Sequence, residues 1–215
     1  MNEDSSVAGN FQVDFNKWNI VYVAVAVSAI LTVVTLAMYG IEKQGIINWL
    51  DATGRAGMIT FTAAFIASPL HQLFPSPFSR WLLKNRRFLG IAFGLQHLLF
   101  HLPAVIWFFA IVQVPINKIV IIAGLGFVIV IPMLITSFNK PMKWMGASNW
   151  KILHRTGMYN LILVFIISFW PGISGNPSLS KAYLINYAAF ELTLLIAVFL
   201  RIVVFVRQKF VPLKA

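Results

Sequence analysis

Apolar residues run through this chain in long stretches separated by short polar connectors. Six stretches approach the roughly 20 residues that a helix needs to cross about 30 Å of hydrocarbon at 1.5 Å per residue. They run from about Trp18 to Ile41, Ala56 to Leu73, Arg86 to Val112, Ile116 to Phe138, Lys151 to Trp170 and Ala182 to Val206. The pattern predicts an all-α fold, a polytopic membrane bundle of six transmembrane helices filling residues 18–206. Residues 1–17 read as a polar tail and 207–215 as a basic one. The tail lacks the basic start of a signal peptide, so the first apolar run is expected to be a retained helix. Pro75-Ser76-Pro77 ends the second helix. The segment Phe78 to Arg87 mixes Trp and Leu with Arg80, Lys84, Arg86 and Arg87, and is expected to lie along the membrane surface. Trp144, Trp150 and Trp170 fall where interfacial anchors are expected.

Composition agrees with this reading. The 215 residues are 59% hydrophobic and 11% charged, whereas a soluble domain carries roughly 25% charged residues. The formal net charge of +11 raises the question of nucleic acid. However, the cations sit in connectors between apolar spans, with no basic groove or aromatic-basic interleaving, so the expected partner is a lipid bilayer and not nucleic acid. One side would hold Lys17, Arg80, Lys84, Arg86, Arg87, Lys140, Lys143, Lys151, Arg155, Arg201, Arg207, Lys209 and Lys214. The other holds Lys43, Arg55, Lys118 and Lys181. That asymmetry predicts both termini in the cytoplasm, in a bacterial inner membrane.

Candidate chemistry rests on histidines. The chain has no cysteine, which removes disulfides, thiolate iron–sulfur clusters and covalent haem attachment. His97 and His101 lie four residues apart on one helix face, about 15 Å deep or more. His71 and His154 fall about one turn from the cytoplasmic surface. Axial ligands of one haem must stand at nearly the same level, so His71 and His154 are one pairing. His97 or His101 would need a partner at mid-membrane, or would act alone. Helix–helix hydrogen bonding is the competing role for the deep pair, and a soft-metal site there lacks cysteine or carboxylate company. Glu191 is the carboxylate well inside a span, near the level of His101, and is a candidate partner for it or for a proton path. Gln96 and Asn160 stand near the level of His97, to orient its ring or to join helices. Gly124-Leu125-Gly126 reads as a packing notch.

The ordered motifs Thr53-Gly54-Arg55, Ser68-Pro69-Leu70, Arg86-Arg87-Phe88-Leu89-Gly90 with His97 and His101, and Leu153-His154-Arg155 resemble the ferric reductase-like transmembrane family over about residues 50–170. Bacterial members of that family include the membrane haem subunit of the methionine-sulfoxide reductase system. The resemblance implies non-covalent haem b, and electron relay to or from a redox partner protein, a quinol or ferric iron, as the membrane subunit of an oxidoreductase. It implies haem ligands at the positions most like His97 and His154. Two departures stand out. Phe100 occupies the place of the usual third-helix histidine, and Ile167 that of a second histidine on the fifth helix. One haem per chain is therefore expected rather than two. No segment suits a flavin or a nicotinamide cofactor. The alternative is a non-redox member, a structural or small-solute-handling helix bundle.

Overall fold

A computed structural model describes residues 15–113, 118–170 and 181–210. The expected start of the fourth span at Ile116, most of the N-terminal tail and the end of the C-terminal tail lie outside the described residues. The described chain is helical: α1 (Trp18–Tyr39), α2 (Lys43–Leu73), α3 (Pro77–Gln96), a π-helical turn (His97–His101), α4 (Leu102–Val112), α5 (Lys118–Ile135), α6 (Asn139–Met145), α7 (Ala147–Phe169) and α8 (Lys181–Phe210).

Among the described residues, four helical rods are long and apolar enough to cross a membrane: α1, the continuous α3–α4 rod, α7 and α8. The pair α5–α6, bent by 103°, makes a fifth candidate span. The expected second span differs from the pattern. It begins at Lys43 rather than Ala56, and its 31 residues include Asp51 and Arg55. This helix tolerates polar residues because it is the inner one, packed against α1, α3, α4 and α8. Residues 78–87 also differ from expectation. They form no separate surface segment but open α3, which Ser76 caps by accepting from Ser79 N–H at 3.1 Å while Pro77 fills the first turn.

Two proline effects shape the bundle. Pro69 in α2 has no N–H, so the Phe65 carbonyl one turn back loses its helical donor. Arg201 of α8 fills the gap, its Nη2 donating to that carbonyl at 2.7 Å with the guanidinium 3.9 Å from the Phe65 ring centre. Pro103 likewise cannot serve the Leu99 carbonyl. The turn before it widens, with Leu102 N–H bonded to the His97 carbonyl five residues back.

Helices α2 and α8 run parallel. Tyr187 O–H donates to Asp51, Arg201 to Phe65 and Gln208 to Gln72, each pair 136 residues apart. One end of the bundle gathers the chain around Lys17, the α2–α3 turn and α6. There Lys17 N–H donates to Asn85 at 2.9 Å, Trp81 Nε1 to the Phe15 carbonyl at 3.0 Å, and Arg87 to Asn139 at 2.8 Å. The connectors expected on one side of the membrane thus lie at one end of the molecule. The central core, built on Phe61, Phe65, Phe93, Leu161 and Phe165, separates that end from the other.

Candidate functional site

At the end that gathers these connectors, α2, α3, α5, α6, α7 and α8 surround a cavity of about 700 Å³. That volume lies within the range of roughly 300–1,000 Å³ common to small-molecule and cofactor sites. Its inner part is apolar, with Phe61, Phe93, Val130 and Leu161. Lys84, Arg86, Arg87, Lys151, Arg155 and Arg201 also line it, and no aspartate or glutamate does. Among the described residues, Arg86 finds only the Met158 thioether, at 3.5 Å, and Arg201 Nε is buried without a partner. The one ion pair among the described residues, Arg55 with Asp51 at 3.2 Å, belongs to the opposite end. Lys84, Arg87, Lys151 and Arg155 are exposed, while Arg86 and Arg201 are partly buried without a counter-charge among the described residues, an arrangement that favours an anionic guest.

One histidine lines the cavity, His154 on α7. Its Nε2 stands 3.1 Å from Thr136 Oγ1, and that hydroxyl donates to the Pro132 carbonyl at 2.6 Å. With the hydroxyl proton directed at Pro132, the tautomer that satisfies this contact has the imidazole hydrogen on Nε2, donating to Thr136. Nδ1 keeps the lone pair and has no hydrogen-bond partner among the described residues. Trp150, one turn earlier, packs on the ring at 4.4 Å between centres and is itself fixed by donating to the Thr136 carbonyl at 3.0 Å. An imidazole with one N–H anchored on oxygen and the other nitrogen free has the arrangement of a metal-ligating histidine.

The other candidates lie elsewhere. His97 is 5% exposed, with Phe93 at 4.9 Å between ring centres. Phe93 lines the cavity and His97 does not. His97 stacks on Phe127 at 4.6 Å and on His101 at 4.7 Å, and its Nδ1 is buried without a partner. His101 Nδ1 is 3.2 Å from Thr53 Oγ1. Gly54 and Gly57 let these rings sit against α2: a Cβ on Gly54 would lie 3.1 Å from His101 Cε1, and one on Gly57 3.7 Å from His97 Nδ1. His71 pairs with Ser79 Oγ at 3.0 Å beside the α3 cap and does not share a cavity with His154.

The supporting residues divide similarly. Gln96 does not orient His97. It donates to the Ala24 carbonyl at 3.0 Å and Ser28 Oγ at 2.9 Å and accepts from Thr60 at 2.7 Å, which joins α1, α2 and α3. Glu191 is fully buried, with neither oxygen bonded among the described residues. His101 turns to Thr53 instead. Asn160 Oδ1 is buried and unpartnered, and Arg155 lines the cavity. Sequence reasoning did not single out Thr136, Trp150 or Arg201 as parts of a site. Arg201 left a signal, a cation within an apolar span, but Thr136 left none.

The fold and this site define a class: an all-helical protein with four to five candidate membrane spans and a histidine-bearing, cation-lined cavity. Over 97 residues the chain is 33% identical to the protein-methionine-sulfoxide reductase heme-binding subunit MsrQ of Herminiimonas arsenicoxydans. The match takes in 42% of this chain and 44% of that relative, and marks a distant relationship. The chain thus matches less than half the length of the curated relative. No family model and no solved structure matches it.

Proposed function

We propose that this chain is a haem b protein of the bacterial inner membrane. In this reading it crosses the bilayer six times with both termini in the cytoplasm. It relays electrons between a quinol or redox partner protein and an acceptor, as the membrane subunit of an oxidoreductase. The observation that carries this reading is the cavity at His154, which joins apolar walls, unpaired cations and a free imidazole nitrogen. That donor set fits haem: an apolar macrocycle, a pair of propionates and an iron that takes nitrogen. The name of the distant relative supports the same cofactor.

Within this reading His154 would hold the iron, and Thr136 would keep the ring in orientation. Arg86, Arg87, Lys84, Lys151 and Arg155 would be the cations available to the propionates, while Arg201 braces α2 and adds positive field. Phe61, Phe93 and Leu161 keep water from the macrocycle. Haem, when bound, supplies reversible one-electron chemistry. With cations on one end, the electron donor is expected there.

A second reading, a bundle without redox chemistry, is favoured by the deep pair: His97 and His101 are stacked into protein, and Ile167 replaces a family histidine. Spectra of the purified protein, oxidised and dithionite-reduced, separate the two. The haem reading expects a Soret band that shifts and sharpens on reduction, and its loss in a folded His154→Ala variant. A wild-type preparation without a Soret band, from haem-replete cells, supports the bundle instead.

A further inference from the structure

A second cluster of titratable groups lies at the end away from the cavity, where α8 runs beside α2. Tyr187 O–H donates to Asp51, and Tyr183 O–H stands within bonding distance of both the Tyr187 oxygen and Asp51 Oδ1. Arg55 pairs with the other oxygen of Asp51 at 3.2 Å, and both side chains are partly exposed, so the cluster reaches the protein surface. The guanidinium lies 5.8, 5.4 and 5.9 Å from the ring centres of Tyr183, Tyr187 and Phe190. One turn beyond Tyr187 on α8 is Glu191, 0% exposed, with neither oxygen bonded among the described residues. The register that sets Tyr187 level with Asp51 and Arg201 level with Phe65 sets Glu191 level with Arg55. Helix α7 also packs on α8, bringing Phe169 onto Tyr187 and Phe190, and carries no titratable residue from Asn160 to Phe169. Toward the cavity, the buried face of α8 continues with Leu194 and Ala197 of the central core. The next charged side chain along α8 is Arg201, about 15 Å away by the helical rise.

We infer that Glu191 is a proton-binding site, loaded and emptied from the end of the bundle opposite the cavity through Tyr187 and Asp51. An ionised carboxylate without donor or counter-charge is costly in apolar protein, so the resting group holds its proton. Residues four apart on a helix are neighbours, and rotation of the Glu191 side chain toward Tyr187 closes the gap between them. Glu191 then gives its proton to the Tyr187 oxygen as Tyr187 gives its own to Asp51, and Asp51 passes that proton to water. Once Asp51 is protonated it no longer competes for Arg55, the cation at the level of the carboxylate left behind. The apolar stretch between Glu191 and Arg201 closes the other direction, which makes the exchange one-sided. The site needs no haem and stands apart from the haem reading.

Infrared difference spectroscopy of the full chain in lipid nanodiscs tests the site, because the sequence has only six acidic side chains. At neutral pH the wild type should show a protonated-carboxyl stretch that Glu191→Gln removes. Isotope-labelled glutamate should shift the same band, which assigns it even where that variant fails to accumulate. In deuterium oxide the band should move as the proton exchanges. Tyr187→Phe and Asp51→Asn should keep the band and slow its exchange severalfold. Absence of a protonated glutamate band at neutral pH overturns the inference, since Glu191 is then ionised. Exchange that is equally fast in both variants overturns the route, and a band that never exchanges in the folded wild type makes Glu191 a fixed structural acid.

Discussion

At the residue scale, the bundle is organised by polar groups that its prolines and histidines leave short of partners. Arg201 is both a cation of the cavity and the substitute donor for the Phe65 carbonyl that Pro69 strands. Arg201→Met should therefore destabilise by about 1–3 kcal/mol, the cost of an unsatisfied buried carbonyl. In a Pro69→Ala background the restored N–H takes that role, and the same substitution should cost less. Thermal melts in detergent across the four proteins measure the difference; equal costs in both backgrounds would separate Arg201 from Pro69. Little of this was legible beforehand. The four histidines stand out in the sequence, yet their separate fates depend on Ser79 and Thr136, which carry no signal of their own, and on Thr53, whose motif does not disclose its contact with His101. Phe93 screens His97 from the cavity, and spacing along a helix does not disclose such a screen.

At the element scale, hydrophobic runs were enough to locate the long rods, because a lipid-facing helix must be apolar nearly all round. They misplaced α2, whose first turns hold Lys43, Asp51 and Arg55. An inner helix meets protein rather than lipid, so its polar residues find partners: Asp51 accepts from Tyr183 at 3.2 Å and from Tyr187. The π-turn at His97–His101 was equally hidden, since Pro103 announces a disturbance without specifying its form. Gln96 holds α1 to α2 and α3 through three hydrogen bonds. Gln96→Leu removes them and should lower stability by roughly 1–3 kcal/mol. Amide exchange should then quicken in α1 more than in α7, whereas uniform protection would show that α1 is held by apolar contact alone.

At the scale of the whole molecule, the cation asymmetry gains a geometric counterpart: the cation-rich connectors and the cavity share one end, and Lys43 and Asp51 mark the other. The absence of native cysteine makes a single introduced thiol an unambiguous reporter. Lys143→Cys should resist membrane-impermeant maleimide in intact spheroplasts and Lys43→Cys should react; labelling of both would break the proposed topology. The cavity itself is not legible in the sequence because its walls come from six helices, and cations spaced along the chain do not disclose that they converge. The most direct measurement of the central claim is haem content by pyridine haemochrome against protein mass. A cavity with one available imidazole predicts one haem per wild-type chain and at least a tenfold loss in His154→Ala. No haem in the wild type, or two per chain, would contradict it.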